Sequence, residues 1–336
     1  MTELFFDTGL EIVLFIQRTF GEWIGAPSRI LSFIGDEEFF LLILPIIYWC
    51  INSALGLRVG FILLLSNGIN GILKLTFSTP RPFFYSPEVR PLTFESSFGL
   101  PSGHAQNAAA VWGVIAAFFA RMWVWIVLVM LIILIGLSRI SVGVHFPIDV
   151  VTGWLVGFTL LWLVLRLEKP VLTWLKNRTV TIRLLTAFLA SLAIIFFGLL
   201  AKSIAIEEIP ATWIANAAQA FPDEPQINPL SLDGLFTSAG TIFGLAGGAI
   251  LLYAYSGFDV GGPWWKRVAR YPIGLVGVIL FYFVLGAIFP RGDDTLAYAL
   301  RYLRYFLVGI WVSAGAPLVF FFLRLASPRQ TGDATQ

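Results

Sequence analysis

The sequence predicts an all-α, polytopic membrane protein, and three features support that prediction. First, 58% of the 336 residues are hydrophobic and only 12% are charged, whereas soluble domains carry roughly 25% charged residues. Second, many apolar stretches approach the length of about 20 residues that a helix needs to cross a bilayer. Third, these stretches are continuous, whereas the strands of a transmembrane β-barrel alternate apolar and polar residues.

The N-terminal segment is predicted to lie in the membrane interface. Residues 4–20 interrupt their apolar residues with charged ones such as Asp7, Glu11 and Arg18. Together with residues 24–34 they are expected to form amphipathic helices at the surface of the bilayer, with a shallow hairpin as the alternative.

Nine spans are predicted to follow this segment. The first is short and contains Pro45, the second ends near Lys74, and residues 78–103 then form a loop rich in Pro, Ser and Phe. The nine spans lie at about residues 39–55, 57–77, 105–120, 123–140, 146–166, 182–202, 236–256, 272–289 and 303–325.

A domain boundary is predicted near Lys169-Pro170, because every sequence string that suggests chemistry lies before it. Residues 1–169 are predicted to form a catalytic membrane core, and residues 170–336 to add about four accessory C-terminal transmembrane helices.

The predicted spans also separate two faces of the membrane. Counting crossings places on one face Lys74, Arg81, Pro101-Ser102-Gly103-His104, Arg139 and His145. The opposite face collects most of the remaining Lys and Arg residues, and the positive-inside rule makes that face cytoplasmic. We therefore expect a multi-pass protein of the cell membrane, with its C-terminus in the cytoplasm and the candidate site facing the extracytoplasmic side.

Charge and cysteine content exclude several classes of function. The net charge is only +2, and no basic cluster has the character of a nucleic-acid footprint. The single cysteine, Cys50, excludes an intrachain disulfide and any cysteine-based metal site. Neither a metal nor a cofactor is predicted.

The chain has only two histidines, and each lies in a string suited to proton transfer or nucleophilic attack. His104 ends the string Pro101-Ser102-Gly103-His104. His145 and Asp149 are four residues apart, so on a helix their side chains would share one face. Asp149 can then orient the His145 ring, which can attack as a nucleophile through its other nitrogen, while His104 can protonate the leaving group.

Three cationic side chains near these histidines suggest a tetrahedral oxyanion such as a phosphoryl group. The guanidinium groups of Arg81 and Arg139 match phosphate oxygens in pairs, and Lys74 adds a compact charge. Ser102 and Gly103 stand where a span begins, and the N–H groups at a helix start favour anions. Gly103 allows close backbone approach, and Ser102 adds a hydroxyl donor.

These strings resemble the tripartite signature of the type 2 phosphatidic acid phosphatase (lipid phosphate phosphatase) superfamily, which includes the vanadium haloperoxidases. The signature reads Lys-x6-Arg-Pro, Pro-Ser-Gly-His and Ser-Arg-x5-His-x3-Asp. Residues 74–82, 101–104 and 138–149 meet it in order and without substitution. The resemblance covers roughly residues 35–165.

The resemblance implies a role for each matching residue and a metal-independent reaction. His145 would be the nucleophile that forms a phosphohistidine, Asp149 would orient it, and His104 would be the general acid. The phosphoryl group would be held by Lys74, Arg81, Ser102, Gly103 and Arg139. Members of this family commonly have six core spans, whereas five clear ones precede residue 170 here.

The sequence is thus interpreted as an integral membrane phosphatase that hydrolyses a lipid phosphomonoester or a lipid (polyprenyl) pyrophosphate in the bilayer. One alternative is a lipid phosphotransferase that uses the same phosphohistidine. Another is a transporter or lipid-binding membrane protein with a disused catalytic core, which the four extra spans suggest. A haloperoxidase is disfavoured, because that activity belongs to soluble relatives.

Two further patterns are given structural interpretations. A stripe of small residues predicts close helix packing, and its members are Gly240, Gly244, Gly247 and Gly248. Arg301 and Arg304 begin the last predicted span, where we expect them to snorkel to the membrane surface.

Overall fold

The computed structural model describes residues 2–35 and 37–328, and confirms an all-α, polytopic architecture. The protein is 77% helical, and the described residues contain no β-structure beyond an isolated bridge between Asp259 and Ser327. Three short stretches of π-helix interrupt or extend the α-helices.

The helices are numbered in chain order. They are α1 (Thr2–Phe33), α2 (Glu37–Ile46, extended by a π-helical turn Ile47–Ile51), α3 (Ser53–Phe77), α4 (Pro82–Tyr85), α5 (Gly103–Phe119), α6 (Met122–Ser141), α7 (Pro147–Lys176), α8 (Val180–Ile204), α9 (Ala211–Ala220), α10 (Asp233–Tyr255), α11 (Trp264–Ile279, continued by a π-helical turn Leu280–Val284), α12 (Leu285–Ile288), α13 (Thr295–Ile310, continued by a π-helical turn Trp311–Gly315) and α14 (Ala316–Phe322).

Seven helical segments in the described chain are long and apolar enough to cross a membrane. They match seven of the nine predicted spans. The other two predicted spans correspond to shorter helices, the apolar segment Phe39–Ile51 and the 17-residue α5. In α8 only 22% of the most apolar stretch is buried, and Leu189 and Phe196 are exposed. Apolar faces of this kind suit contact with lipid chains.

The N-terminal prediction of two separate helices, or a hairpin, is wrong. Residues 2–33 form one helix, α1, with Pro27 inside it. Tertiary contacts hold both parts of this helix: Gln17 Nε2 donates to the Arg90 carbonyl oxygen at 2.8 Å, and Ser32, beyond Pro27, accepts from Arg139 Nη1. α1 does not belong to the seven helices suited to crossing a membrane among the described residues.

The chain divides into two compact units. The first unit comprises the chain through Phe40, Ile69–Val164 and Phe197–Ser231. Its core joins five helices through Val13 of α1, Phe84 of α4, Ile140 of α6, Val150 of α7 and Ala217 of α9, all of which are buried. The side chains of this core therefore hold α1 and α9 around the loop that contains α4.

The second unit comprises Leu41–Gly68, Leu165–Phe196 and the described chain from Leu232 onward. Tyr48 and Trp49, both fully buried, donate to the carbonyl oxygens of Ser313 and Val312, each at 2.9 Å. These two acceptors lie in the π-helical turn after α13. A π-turn changes the local hydrogen-bond pattern, and here its carbonyl groups receive side-chain donors from the π-helical turn that extends α2.

The glycine stripe packs closely, as predicted. A Cβ atom at Gly240 or Gly248 would lie 3.1 to 3.2 Å from backbone atoms of Tyr302 or Ile310 on α13, and one at Gly244 would lie 2.9 Å from the Ile310 nitrogen. α10 and α13 therefore approach each other through their backbones. Gly247 contributes less, because its nearest neighbour is Leu184 at 3.7 Å.

Two predicted boundaries need correction or restatement. The last predicted span begins too late, because α13 starts at Thr295, where Asp294 caps it by accepting from the Ala297 N–H at 3.0 Å. Arg301 and Arg304 therefore lie inside the helix and not at its start.

The predicted domain boundary at residue 169 falls within α7. The division into residues 1–169 and 170–336 stays a prediction.

Candidate active site

Two glycines place the start of α5 against the start of α7. A Cβ atom at Gly153 would lie 2.6 Å from the Ser102 carbonyl oxygen, and one at Gly157 would lie 2.7 Å from the Ala109 Cβ. The Ser102 N–H also donates to the Asp149 carbonyl oxygen at 2.9 Å. Small residues permit such a close approach of helix backbones. This approach brings the string at residues 101–104 next to the string at residues 138–149.

The Pro101-Ser102-Gly103-His104 string forms the start of α5. Ser102 is the N-cap, and its Oγ accepts a long bond from the Ala105 N–H at 3.5 Å. Gly103 faces Asn70, because a Cβ atom there would lie 3.2 Å from Asn70 Oδ1. Asn70 Nδ2 in turn donates to the Pro101 carbonyl oxygen at 3.2 Å. Gly103 thus has a packing reason in addition to the predicted approach of an anion.

His145 and Asp149 are in contact, but the helical arrangement predicted for them is wrong. His145 precedes α7, which begins at Pro147, so only Asp149 is helical. Asp149 Oδ2 accepts from the Phe146 N–H at 2.9 Å and contacts His145 Nδ1 at 3.1 Å. This is the reach of an acidic side chain back to the N-cap N–H. Gly143, with φ of 76°, allows the preceding turn.

The neighbours of His145 define which ring nitrogen carries the proton. Nδ1 faces Asp149 Oδ2, while Nε2 lies 3.2 Å from Arg81 Nη1. An arginine can only donate, so Nε2 must accept and the proton must reside on Nδ1. Burial, and then the charges of Arg81 and Lys74, lower the pKa of His145 well below its usual value. The ring is therefore neutral at physiological pH, with the lone pair of Nε2 directed toward the arginine.

His104 lies in the first turn of α5, half-buried, beside the same cluster. A Cβ atom at Gly35 would lie 2.7 Å from its Cδ2 atom, so a glycine leaves room for the ring. After burial and the three basic side chains, the charge of His104 also lowers the pKa of His145. The two histidines that the sequence singled out thus belong to one electrostatic cluster.

The three predicted cations converge on this cluster and are buried. The side chains of Arg81 and Arg139 are each 1% exposed. Lys74 Nζ donates to Ser97 Oγ at 3.1 Å and to the Phe98 carbonyl oxygen. Arg81 also donates to Ser97, through Nε to its carbonyl oxygen at 2.6 Å. The loop before α5 therefore holds Lys74 and Arg81 in place, largely through its backbone.

Glu95 is a central residue that the sequence analysis missed. Its Oε2 accepts from Arg81 Nη2 at 3.1 Å, and its Oε1 pairs with Arg139 Nη2. Burial would raise the pKa of Glu95, but Arg81 and Arg139 outweigh it and hold the pKa well below its usual range. One carboxylate thus bridges two buried guanidinium groups that would otherwise repel each other.

Other contacts missed from the sequence come from distant segments. Ser32, near the end of α1, accepts from Arg139 Nη1, although the two residues are 107 positions apart. No local pattern marks Ser32, whereas Glu95 did carry a signal, since it is an acid between two cationic strings in a loop of Ser and Phe.

All eight predicted site residues lie in the first unit, on the ends of four helices and the loops beside them. Lys74 is in the last turn of α3, Arg139 is in the last turn of α6, and Asp149 is in the first turn of α7. Over the described chain, no group of three or more His, Cys, Asp and Glu residues could hold a metal ion.

The fold and this cluster define a polytopic helical membrane protein with a buried cluster of cationic and histidine side chains. Residues 55–172 match the PAP2 superfamily, and residues 236–328 match a model described as PAP2 superfamily phosphatase, transmembrane extension. The chain is 32% identical to phosphatidylglycerophosphatase B of Bacillus subtilis, over 44% of this chain and 77% of that protein.

Two further comparisons extend these matches. The chain is 23% identical to glucose-6-phosphatase catalytic subunit 1 of Haplochromis nubilus, over 89% of this chain and 91% of that protein. A crystal structure of a transmembrane PAP2-type phosphatidylglycerolphosphate phosphatase from Bacillus subtilis is 26% identical, with a TM-score of 0.43, and covers 50% of this chain and 87% of that one. The protein belongs to the PAP2 superfamily and is a multi-pass membrane phosphatase of that family.

Proposed function

We propose that this protein hydrolyses a lipid phosphomonoester or a lipid pyrophosphate through a phosphohistidine at His145. The observation that carries the proposal is the arrangement around the ring. Asp149 holds the proton on Nδ1, and the lone pair of Nε2 is directed at Arg81, 3.2 Å away. A ring held in this tautomer is a nucleophile aimed at the place where guanidinium groups would bind phosphoryl oxygens.

In the first step, Nε2 of His145 attacks the phosphorus atom and the bond from phosphorus to the leaving oxygen breaks. His104, in its protonated form, gives its proton to that oxygen as it leaves. Lys74, Arg81 and Arg139 stabilise the charge on the equatorial oxygens. Asp149 stabilises the positive charge that develops on the His145 ring.

In the second step, a water molecule attacks the phosphorus atom of the phosphohistidine. His104, now neutral, takes a proton from that water, and the phosphorus–nitrogen bond breaks to release phosphate. The electron pair returns to Nε2, and His104 is again protonated for the next cycle. Ser102 and the N–H groups at the start of α5, including that of Gly103, add donors for the phosphoryl oxygens.

Glu95 is the counter-ion of the cationic cluster in this proposal. Three buried cations would be costly without nearby negative charge, and the carboxylate keeps Arg81 and Arg139 close together. A phosphoryl group carries the same sign as Glu95 and binds the same guanidinium groups. The remaining guanidinium N–H groups are the donors through which each arginine can hold substrate beside Glu95.

The position of the site favours an amphiphilic substrate. Lys74, Arg139 and Asp149 stand at the ends of helices suited to crossing a membrane. The phosphorylated headgroup of a lipid at the membrane surface can reach these helix ends while its acyl or prenyl chains stay in the bilayer. Candidate substrates are phosphatidic acid, phosphatidylglycerophosphate, a long-chain base phosphate and a polyprenyl pyrophosphate. We propose the predicted orientation as well, with the site extracytoplasmic and the C-terminus cytoplasmic in the cell membrane.

A second candidate substrate is a soluble sugar phosphate. The similarity to glucose-6-phosphatase extends over 89% of this chain, so it includes the second unit as well as the site. The same catalytic residues would serve, with glucose-6-phosphate in place of a lipid headgroup.

Phosphate release by the purified full chain in liposomes, measured over the four lipid phosphates and glucose-6-phosphate, tests the substrate class. We expect kcat/KM for one lipid to exceed that for glucose-6-phosphate by about a hundredfold, because the burial of three or four methylene groups of the lipid chain contributes about that factor. Preference for glucose-6-phosphate would overturn the lipid assignment. Absence of phosphate release from every substrate would favour a non-catalytic transporter or lipid-binding protein.

Two controls in the same assay test for phosphotransfer and for metal dependence. Transfer of a labelled phosphoryl group to a second lipid or sugar, in place of water, would identify a phosphotransferase. Treatment with a chelator should leave the rate unchanged, because the proposed reaction uses no metal. A rate that falls and returns on addition of magnesium would contradict this.

A further inference from the structure

The second unit contains a cationic cavity that the proposed reaction does not use. It has a volume of about 540 Å³ and lies where α12 ends and α13 begins. Arg291, Arg301 and Arg304 line it, and no carboxylate of the described residues lies among the lining groups. Tyr282 and Tyr305 complete its polar wall. A concave surface lined by three arginines suits an anion.

Arg304 is the best-placed donor in this cavity. Its guanidinium group lies 5.4 Å from the Tyr282 ring and 4.6 Å from the Tyr305 ring, so both aromatic rings fix its position. Its Nη2 donates to Tyr305 Oη at 3.0 Å. Its Nε is buried and has no hydrogen-bond partner in the part of the chain that the structure describes. A buried N–H without an acceptor is costly, and a bound oxyanion would satisfy it.

The neighbouring charges leave the cavity positive. Arg301 pairs with Asp233 at 2.7 Å, which neutralises one cation. Asp293 accepts from the Tyr298 hydroxyl at 2.7 Å, and Asp294 caps α13. Asp233, Asp293 and Asp294 therefore make structural contacts and do not line the cavity. Arg304 and the exposed Arg291 therefore set the sign of the charge inside.

An apolar groove lies along the same helices as the cationic cavity. It has a volume of about 490 Å³, and nearly all of its surface is hydrocarbon. Leu307, Trp311, Ala314 and Leu318 line one wall, and Phe281 contributes from the segment that also places Tyr282 in the cationic cavity. The groove and the cationic cavity are thus lined by the same two segments, the π-helical turn after α11 and the helical segment that begins with α13.

The cavity and the groove are lined by consecutive parts of one helical segment. Arg304 lines the cavity, and Leu307, Trp311, Ala314 and Leu318 line the groove along α13, its π-helical turn and α14. At 1.5 Å per residue, the distance from Leu307 to Leu318 is about 16 Å, close to the reach of most of a fatty acyl chain. The cationic cavity and an apolar groove of acyl length thus follow each other along this segment.

We infer that the second unit binds one anionic phospholipid. Its phosphate lies against Arg304 and Arg291, and one acyl chain lies in the groove from Leu307 to Leu318. Lipid is favoured over free phosphate because the anion site stands at the ends of two membrane-spanning segments and adjoins the groove. The residues that line this cavity include none of the eight candidate residues of the hydrolytic site in the first unit.

The test measures lipid binding to the delipidated full-length protein by native mass spectrometry. The probes are dioleoyl-phosphatidylglycerol, dihexanoyl-phosphatidylglycerol, dioleoyl-phosphatidylcholine and inorganic phosphate. We expect dioleoyl-phosphatidylglycerol to bind most tightly, and Arg304→Gln to weaken that binding about tenfold, as for the loss of one charge-assisted hydrogen bond. The matched control is Arg178→Gln, which removes an exposed arginine stacked on Trp174 in the same unit.

A second variant tests the groove without touching the arginines. Leu318 is 48% exposed, so Leu318→Trp should narrow the groove with little effect on folding. We expect it to weaken dioleoyl-phosphatidylglycerol about tenfold, the worth of about two buried methylenes, and to leave the dihexanoyl lipid unaffected. If Arg304→Gln fails to fold, Leu318→Trp decides the question.

Three results would overturn the inference. They are equal binding of phosphatidylglycerol and phosphatidylcholine, full competition by inorganic phosphate at the affinity of the lipid, and equal loss of binding in Arg178→Gln. Hydrolysis is read separately, because the His145→Ala variant should lose phosphate release while it keeps this lipid. Failure of one proposal is therefore distinguishable from failure of the other.

Discussion

Each unit contains a buried arginine, and the partners of these two arginines differ. Arg139 in the first unit and Arg270 in the second are each 1% exposed. Arg270 donates to main-chain carbonyl oxygens, those of Trp49, Val260, Gly261 and Leu325. Arg139 is held by the side chains of Ser32 and Glu95. Burial alone therefore does not distinguish a binding arginine from a structural one.

The two arginines differ in whether a carboxylate is among their partners. Arg139, like Arg81, pairs with Glu95, although Arg81 also donates to the carbonyl oxygens of Ser97 and Val144. Main-chain carbonyl groups are part of the fold and cannot leave, so Arg270 stabilises the chain where α11 meets its neighbours. A carboxylate such as Glu95 is negatively charged, as is the phosphoryl group of the proposed substrate, so in the proposed function the arginines that pair with Glu95 are arranged for an oxyanion. We therefore expect site variants of the first unit to lose activity, and the corresponding variants of the second to lose stability.

The largest expected effect is that of His145→Ala. Removal of the proposed nucleophile should lower kcat by a factor on the order of 10⁴, while thermal unfolding stays near that of the wild type. Ser138→Ala is the matched control, since Ser138 is buried beside Arg139 and its Oγ donates to the Ile135 carbonyl oxygen within α6. Activity within tenfold of the wild type in His145→Ala would contradict the assigned role.

The contrast between the two arginines is tested by making one substitution in both units. Arg139→Lys keeps the charge but loses the guanidinium fork, so kcat/KM should fall by about 10² to 10³. Arg270→Lys should leave the activity of the folded protein intact but lower its stability, because unmade hydrogen bonds to buried carbonyls cost about 1–3 kcal/mol each.

Activity and thermal unfolding of both variants are measured on the same preparations. The contrast fails if Arg270→Lys reduces kcat/KM as much as Arg139→Lys does at matched folded fraction.

Glu95→Gln addresses the bridging carboxylate. The amide nitrogen of glutamine cannot accept from a guanidinium group, so one of Arg81 and Arg139 loses its contact. We expect kcat/KM to fall by about 10- to 100-fold, because charge-assisted hydrogen bonds are worth about 1.5–3 kcal/mol. The affinity for vanadate, an oxyanion that resembles the phosphoryl group in the transition state, should fall in parallel. Glu95→Asp, which keeps the charge, should recover part of the loss. Tighter vanadate binding in Glu95→Gln would mean that Glu95 blocks the site and does not prepare it.

The smallest effect is expected where the helices that carry the two histidine strings meet. The Cβ atom of Gly153→Ala would lie 2.6 Å from the Ser102 carbonyl oxygen. Overpacking of this kind costs about 1–3 kcal/mol, and the shift of α5 against α7 should lower kcat as well. The control is Gly21→Ala, because a Cβ atom there meets nothing within 4 Å. Equal thermal stability of the two variants would show that this packing is looser than described.

Much of the site could be predicted from the sequence, because its residues fall in three ordered strings. The pairing of His145 with Asp149 was predicted, but through the wrong local geometry. The turn at Gly143 follows the end of α6, and α7 starts only at Pro147, so the contact depends on Asp149 reaching back to Phe146. A spacing of four residues cannot distinguish this turn from a helix.

Glu95 and Ser32 escaped prediction because their importance exists only after folding. Each contacts an arginine at least 14 positions away in sequence. No local pattern marks Ser32, and the position of Glu95 between cationic strings did not show which arginines it would contact. The continuity of α1 was also not predicted, because its charged residues and Pro27 suggested a break. The polar contacts of this helix with Arg90 and Glu88 form only in the folded protein. The start of α13 was readable, because Asp294 followed by Thr295 is a recognisable N-cap.

The central claim is that the phosphoryl group passes through His145. Rapid acid-free quenching of the full-length protein with a radiolabelled substrate, followed by peptide mapping, tests it most directly. We predict a base-stable, acid-labile phosphoramidate on the peptide that contains His145, and its absence from His145→Ala. Steady turnover with the label on a different residue, or with no labelled protein on the millisecond timescale, would contradict this claim.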